Sequence, residues 1–210
     1  ICIKGQAKIL AELGVKFDSF DYESKYVYEK EALKRVMKSL EETGKLFTDE
    51  DKRTVINLEG FNLPMEHPIL PLTRGDGTSL YILRDIAYNL EKNEWAKGGR
   101  NILVLGEDQK LYFQQIKTIL SLLKVPAPEV VHYSFMLIKS EEGKVGKMAT
   151  REGDVVLLED FMREAVAKAK VEIEKRHGKS NEKVAKMIGY GAVKFGVLKV
   201  SADKNIIFDL

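Results

Sequence analysis

Residues 101–138 read NILVLGEDQKLYFQQIKTILSLLKVPAPEVVHYSFMLI, and this stretch decides the fold. Its two compact apolar runs, NILVLG and VVHYSFMLI, are typical of strands buried in a parallel sheet. Between the runs, apolar residues recur at the spacing of one helix face: Tyr112, Ile116, Ile119, Leu120 and Leu123. A crossover of this length lets two strands pair in parallel, so the sequence predicts a right-handed strand–helix–strand unit.

Upstream, the chain also alternates between helices and strands. Helices are predicted over residues 4–13 and from Ala32 to Leu40, and a glycine follows each of them, Gly14 and Gly44. The runs KLFT and RTVINL flank the polar TDEDK and predict a hairpin.

The next segment, residues 60–79, is rich in Pro and Gly, which predicts a loop that ends at the turn GDGTS. Thr78 or Ser79 is then expected to cap a helix that runs to about Trp95, where a Gly-Gly pair breaks it.

The last part of the chain is predicted to be mostly helical. One helix has apolar residues at every fourth position and is interrupted by HGKSN, and Ser180 or Asn181 begins another that runs to Leu198. The full pattern predicts an α/β fold with a parallel sheet in residues 1–154, followed by a helical segment in residues 155–210.

Composition and charge narrow the classes of function. Lysine and arginine together number 34 and aspartate and glutamate 32. No net charge therefore draws the chain to nucleic acid, and a site for a polyanion has to be local. Cys2 is the single cysteine, and no apolar run approaches the roughly 20 residues that cross a bilayer, so a cytoplasmic protein without a membrane partner is expected.

Two loops that follow predicted strands contain the candidate ligand-binding residues. Open parallel sheets bind ligands beyond the carboxyl ends of their strands, and both GEDQ, residues 106–109, and the loop from Lys139 to Asp154 lie at such ends. In GEDQ, Gly106 allows close approach to the backbone and Asp108 offers two acceptors for ribose hydroxyls. The alternative is a simple turn in which Asp108 caps the next helix.

The second loop contains GKMATREGD, residues 146–154, with two cations four positions apart, Lys147 and Arg151. Such cations can stabilise the charge that develops on a polyphosphate during group transfer. The alternative is a solvated hairpin tip with two surface cations, and the spacing alone does not separate these interpretations.

Three segments in order, DGTSLYILRDIAY, LGEDQKLYFQQI and KMATREGDVVLLEDF, resemble the arginyl-tRNA synthetases, which are class I aminoacyl-tRNA synthetases. The resemblance covers most of the chain and implies a Rossmann-like catalytic core. KMATR resembles the class I signature KMSKS, a loop that wraps the phosphates of ATP. The implied reaction is adenylation of L-arginine by ATP, with its Mg²⁺, and then transfer of the arginyl group to the terminal adenosine of tRNA(Arg).

The resemblance also implies which residues bind arginine. Tyr81 and Asp85 match a tyrosine and an aspartate of the arginine pocket, and Glu23 is similar to an upstream glutamate. Gln109 matches a glutamine near the α-amino end of the substrate. A guanidinium is a planar fork of five donors, so carboxylates are its best partners. The alternatives are that Asp85 pairs with Arg84 or Lys92 on the surface of its own helix, that Tyr81 belongs to the core and that Glu23 caps the next helix.

On the nucleotide side, the resemblance assigns Lys147 and Arg151 to catalysis. Gly106 and Asp108 would meet the ribose, and Met148 and Thr150 belong to the same ATP-binding loop. The strand end Phe135–Leu137 would line the adenine. His132 is expected to be packed or hydrogen bonded, and the histidines and the cysteine show no zinc-ligand spacing, so no metal site is predicted.

The chain departs from the family pattern in two ways. The class I signature HIGH is absent from the sequence, and Thr150 cannot supply the charge of the second lysine of KMSKS. The chain is therefore interpreted as part of a longer, monomeric enzyme, inactive alone, with residues 155–210 leading toward an anticodon-binding domain. A non-catalytic tRNA- or protein-interaction fragment is the alternative.

Overall fold

The computed structural model describes residues 2–28, 31–139, 145–147 and 157–209. The chain forms two compact units. We call Asp21–Tyr133 the central unit, and we call the combination of Ile1–Phe20 with Ser134–Leu210 the split unit.

Helices and strands alternate along the described chain, as the sequence predicts. The helices are α1 (Cys2–Glu12), α2 (Ser24–Tyr28), α3 (Glu31–Glu41), α4 (Tyr81–Ala96), α5 (Lys110–Leu122), α6 (Leu158–His177) and α7 (Glu182–Leu198). The strands are β1 (Leu46–Thr48), β2 (Thr54–Asn57), β3 (Ile69–Pro71), β4 (Ile102–Gly106), β5 (Glu129–Tyr133), β6 (Met136–Lys139), β7 (Val145–Lys147) and β8 (Ile206–Asp209).

The predicted strand–helix–strand unit is confirmed in the central unit by β4, α5 and β5. Strands β4 and β5 pair in parallel, with Ile102 opposite Glu129 and Gly106 opposite Tyr133, and α5 is the crossover between them. The apolar face of α5 is buried through Phe113 and its neighbours, because it packs into the hydrophobic core of this unit. The strand ends and the start of α5 therefore lie at one edge.

One hydrophobic cluster fills the central unit. Helices α3, α4 and α5 and strands β2 and β3 contribute to it. Its most deeply buried side chains are Leu40, Ile56, Leu58, Leu72, Leu83, Ile86, Ile116, Ile119 and Leu120. Their removal from water is the main favourable contribution to folding of the unit.

The predicted hairpin is confirmed, but the loop predicted after it contains a strand. Strands β1 and β2 pair antiparallel, and β3 adds to β2 with Pro71 opposite Val55. Because β3 lies at the edge of this sheet, a proline there costs no hydrogen bond to a further strand. The strand is not predicted from the sequence, because the Pro- and Gly-rich composition of residues 60–79 is typical of a loop.

The sequence predicts one strand in the run VVHYSFMLI, and this prediction is wrong. The run belongs to two strands, β5 and β6. Strand β5 ends at Tyr133, and Ser134 then donates its backbone N–H to the carbonyl of Ala202 at 2.7 Å. The Ser134 hydroxyl donates to the Asn205 side chain at 2.6 Å. These bonds turn the chain so that β6 pairs in parallel with β8, while β7 pairs antiparallel on its other edge.

Two helices dominate the split unit, as predicted for the last part of the chain. Helix α6 ends at Gly178, whose φ of +75° suits glycine, and the side chain of Asn181 caps α7 by accepting from two backbone N–H groups. Helix α1 is joined to α7 through the Glu12 carboxylate, which accepts hydrogen bonds from Lys186 and Tyr190.

The α/β fold class is confirmed. The boundary predicted at residue 154 lies outside the described residues and does not coincide with the edges of the two compact units, so the two-domain division stays a prediction. No helix in the described ranges is both long enough and apolar enough to cross a membrane.

Candidate active site

The turn GDGTS leads directly into the helix that carries two of the predicted site residues. Asp76 accepts a hydrogen bond from the Thr78 backbone at 2.8 Å, and Gly77 has a φ of +81°, so the chain reverses within a few residues. The N-cap of α4 is Leu80, without a side-chain hydrogen bond, and not Thr78 or Ser79 as predicted. The helix then begins with Tyr81.

The start of α4 is held by Arg84. Its guanidinium donates to the backbone carbonyl of Ser79 at 2.5 Å and to the Ser79 hydroxyl at 3.2 Å. The same guanidinium forms an ion pair with Glu23, from Nε to Oε1 at 2.6 Å. Glu23 therefore lies against the first turn of α4, which is where arginine binding was predicted, but an internal arginine already contacts its carboxylate.

Asp85 lies one helical turn after Tyr81 and has a different partner. The Tyr112 hydroxyl of α5 donates to Asp85 Oδ2, and the Tyr112 ring packs on the Tyr81 ring with 5.2 Å between their centroids. Arg84 therefore pairs with Glu23, and the alternative pairing of Arg84 with Asp85 is not formed. The structure brings Tyr81, Asp85 and Tyr112 into one contact group.

A cavity of about 270 Å³ joins Glu23 and Asp85 within the central unit. Its lining contains three carboxylates, three tyrosines and one arginine: Asp21, Tyr22, Glu23, Tyr26, Arg84, Asp85 and Tyr88. The Tyr88 hydroxyl donates to Asp21 at 2.9 Å, which ties the segment before α2 to α4. Acidic groups with flat aromatic walls suit a cationic, planar ligand.

Burial shifts the pKa values of two charged groups at this cavity, Asp85 and Lys92. Burial raises the pKa of Asp85, while the hydrogen bond from Tyr112 and the charge of Lys92 oppose that rise. Burial also lowers the pKa of Lys92, and Asp85 counters that change. Lys92 lies over the Tyr88 ring, 4.5 Å from its centroid. A carboxylate that is partly removed from water gains more from a cationic ligand than an exposed one.

The end of β4 carries the predicted nucleotide residues. Gly106 is buried, and a Cβ there would collide with Asp108 Oδ1, so only glycine allows the Asp108 side chain to fold back in this way. The N-cap of α5 is Gln109, not Asp108, so the interpretation of Asp108 as the cap is wrong. Gln109 is exposed and lies one helical turn before Tyr112.

His132 is partly buried on β5, and its Nδ1 lies 3.4 Å from the Gly106 carbonyl oxygen. This geometry agrees with the prediction that His132 is packed or hydrogen bonded. Within the described ranges, no group of three or more His, Cys, Asp or Glu side chains is placed to hold a metal ion.

The KMATR loop lies mostly outside the described residues. Lys147 is the last residue of β7, in the split unit, and its backbone lies opposite Leu137 of β6. Met148, Thr150 and Arg151 are outside the described residues, so their predicted roles are untested. The role predicted for Phe135–Leu137 at the adenine is also untested.

Sequence reasoning did not assign Arg84 or Tyr112 to the site, although Arg84 pairs with Glu23 and Tyr112 donates to Asp85. Both stand within quoted motifs, Arg84 next to Asp85 and Tyr112 three positions after Gln109. One indication was available, because a buried carboxylate needs a donor and tyrosine is an apolar residue that carries one. The sequence does not reveal which tyrosine supplies it.

Residues 4–210 match the family described as tRNA synthetases class I (R), catalytic domain, and the α/β fold of the chain agrees with that class. The chain belongs to this family.

Curated relatives support the same assignment. The chain is 39% identical to the arginine–tRNA ligase of Methanocella arvoryzae, a match that covers 99% of the chain and 36% of that protein. It is 36% identical to the corresponding ligase of Methanothermobacter thermautotrophicus, over 99% of the chain and 35% of that protein. The chain thus spans about a third of the length of these relatives.

Solved structures share the fold. Thermus thermophilus arginyl-tRNA synthetase matches with a TM-score of 0.78 at 20% identity, over 99% of this chain and 40% of that one. The arginyl-tRNA synthetase of Plasmodium falciparum matches with a TM-score of 0.72 at 19% identity, over 98% of this chain and 34% of that one.

Proposed function

We propose that this chain is the catalytic part of an arginine–tRNA ligase, which activates L-arginine with ATP and attaches it to tRNA(Arg). One observation carries the proposal: within a chain that matches this family over residues 4–210, the Asp85 carboxylate lies at a cavity that it shares with Glu23. The named relatives are about three times as long, so the complete reaction belongs to the longer enzyme.

The arginine side chain is assigned to this acidic cavity. Asp85 accepts the guanidinium, the exposed ring of Tyr81 forms a flat wall beside it, and Glu23 adds a second carboxylate next to Arg84. Gln109, at the start of α5, meets the α-amino end of the substrate. Lysine has one ammonium in place of the planar fork, so it would leave part of this acceptor set unpaired.

The nucleotide is assigned to the strand ends. Gly106 and Asp108 meet the ribose, and the loop that contains Met148 and Thr150 wraps the phosphates. Lys147 and Arg151 supply the positive charge for pyrophosphate release, and the Mg²⁺ that accompanies ATP adds to it. Thr150 carries no charge, so Arg151 replaces the second lysine of KMSKS in this proposal.

The proposal also includes a cytoplasmic, monomeric enzyme. ATP, arginine and tRNA meet in the cytoplasm during protein synthesis. The nearly balanced count of 34 basic and 32 acidic residues argues against tight, independent binding of RNA by this chain, because such binding depends mainly on neutralised phosphates.

Substitution of Asp85 tests the proposal. In the full-length enzyme we expect Asp85→Ala to weaken arginine binding roughly 100-fold, because charge-assisted hydrogen bonds in a partly buried site are lost. Glu23→Ala is expected to weaken binding less, because Arg84 already neutralises that carboxylate. Isothermal titration calorimetry with L-arginine measures both effects.

Glu129→Ala is the matched control, because Glu129 is an exposed carboxylate of the same unit, paired with Arg100 and outside the cavity. Equal arginine affinity of wild type and Asp85→Ala would remove Asp85 from the pocket. If the full-length protein neither binds arginine nor exchanges pyrophosphate into ATP when arginine is present, the non-catalytic interpretation stands instead. The 210-residue chain alone is expected to show no exchange.

A further inference from the structure

The Tyr112 hydroxyl is the group that fixes the orientation of the Asp85 carboxylate. It belongs to the first turn of α5, whereas Asp85 belongs to α4, so one hydrogen bond connects the two helices at the cavity. The Tyr112 hydroxyl donates to Oδ2 of Asp85 and not to Oδ1. An aspartate on a helix can otherwise rotate about two side-chain bonds, and an acceptor that rotates freely is a poor partner for a planar guanidinium.

Tyr112 is itself held in place. Its ring packs on the Tyr81 ring at an interplanar angle of 44°, and its neighbours on α5, Phe113 and Ile116, are buried in the core. The hydroxyl is therefore delivered by a rigid element and not by a loop. Preorganised groups of this kind lose little entropy when a ligand binds.

We propose that Tyr112 is a positioning residue for arginine recognition, in which its hydroxyl holds Asp85 through Oδ2 and presents Oδ1 to the guanidinium. The inference rests on the proposed function, since it assigns arginine to the cavity at Asp85. Tyr112 does not contact the reacting atoms. Its effect on arginine passes through the orientation and the ionisation of Asp85.

The ionisation of Asp85 provides the decisive measurement. Burial raises the pKa of Asp85, and the Tyr112 hydrogen bond counters that rise. Loss of the hydroxyl therefore raises the pKa further, and the protonated, neutral carboxyl appears at a higher pH. The other charged or titratable groups that face Asp85 are Lys92, Glu23 and Arg84, with Asp21, Tyr26 and Tyr88 around the same cavity.

The test is Tyr112→Phe in the full-length enzyme, which removes the hydroxyl and keeps the ring against Tyr81. We expect the Kd for arginine at neutral pH to rise about tenfold, which is the loss of one hydrogen bond to a charged group. The KM for arginine should rise with it while kcat for adenylation changes little. The pH below which arginine binding weakens should move upward.

Tyr190→Phe is the matched control, because it deletes a tyrosine hydroxyl that donates to a carboxylate, Glu12, in the other unit. It should leave Kd and the pH profile unchanged. The double variant Asp85→Asn with Tyr112→Phe should bind no more weakly than Asp85→Asn alone, because Tyr112 acts only through the carboxylate.

The outcomes separate the two claims. If the wild-type enzyme binds no arginine, the proposed function fails. If the wild type binds arginine and Tyr112→Phe matches it, or is weakened equally at every pH, the role of Tyr112 is overturned. Thermal unfolding of Tyr112→Phe within a few degrees of wild type shows that the variant is folded, and if its midpoint is lower, arginine binding by Tyr112→Phe and by wild type is compared at a temperature below both transitions.

Discussion

The Glu23 and Asp85 carboxylates line the same cavity but are expected to attract a cationic ligand to different degrees, because their partners differ. The partner of Glu23 is the charged Arg84, and Glu23 itself is largely exposed, with 62% of its side chain accessible against 17% for Arg84. Asp85 is hydrogen bonded to a neutral hydroxyl and is more deeply buried. Exposed ion pairs contribute little free energy, so the stronger attraction for a cationic ligand is expected at Asp85.

At the scale of single residues, the sequence reveals residue types and not pairings. The predicted residues Glu23 and Asp85 line the cavity, whereas Tyr81 packs on Tyr112 and is not among the lining residues. The pairs Arg84 with Glu23 and Tyr112 with Asp85 join residues that are 61 and 27 positions apart. Only the packing of α4 against α5, and of the segment before α2 against α4, decides these pairs.

Lys147 is the residue whose proposed role differs most clearly from that of Asp85. In the full-length enzyme we expect Lys147→Ala to slow adenylation roughly 100-fold, since one preformed cationic contact to the developing charge is lost. Arginine affinity should change little, because the guanidinium is assigned to the other end of the substrate. Single-turnover kinetics and calorimetry measure the two quantities separately.

Lys170→Ala is the control for this substitution, because it removes an exposed lysine of α6 in the same unit. A normal adenylation rate for Lys147→Ala would exclude the KMATR lysine from the mechanism. A rate that falls together with arginine affinity would assign Lys147 to substrate binding and not to the chemical step.

At the scale of elements, Gly189 sets how closely α6 and α7 approach. A Cβ at this position would lie 2.8 Å from the backbone of Val166 and 2.9 Å from that of Ala165. Real Cβ atoms do not approach backbone this closely, so any larger residue forces the helices apart. The glycine on α7 thus lets its helix lie directly against the backbone of Ala165 and Val166 on α6.

Gly189→Ala should therefore destabilise the helix pair, although alanine is the better helix former. We expect a loss of about 1–3 kcal/mol, the usual cost of overpacking. Gly191 lies on the same helix, and a Cβ there would have no atom within 4 Å. Gly191→Ala should therefore raise the free energy of unfolding by up to about 1 kcal/mol, because alanine has the higher helix propensity. Urea unfolding followed by circular dichroism compares the two variants. A Gly189→Ala protein as stable as Gly191→Ala would contradict the close approach.

The elements themselves were largely predictable, and the exceptions have physical causes. Long periodic helices and the β4–α5–β5 unit were predicted because their hydrophobic patterns are local. The division of residues 130–138 into two strands depends on Ser134 and Asn205, which are 71 positions apart, and no local pattern reports such a bond. Strand β3 was missed because its edge position tolerates a proline that composition assigns to a loop.

At the scale of the whole chain, the central unit is continuous in sequence and contains its own core. The members of its hydrophobic cluster all lie between Tyr26 and Val130, and each of its strands pairs with another strand of the same unit. The split unit is built from two separate stretches of the chain. Sequence patterns did not predict this division, because contacts between distant stretches define it.

The central unit should therefore fold alone. We expect residues 21–133 to unfold cooperatively and to give a dispersed amide NMR spectrum, since the length is typical of an independent domain and the core is complete. Leu40→Ala is the internal check, because Leu40 is fully buried in that core and its truncation should cost about 2–5 kcal/mol. A non-cooperative transition, or one that Leu40→Ala leaves unchanged, would mean that the core of this unit depends on the rest of the chain.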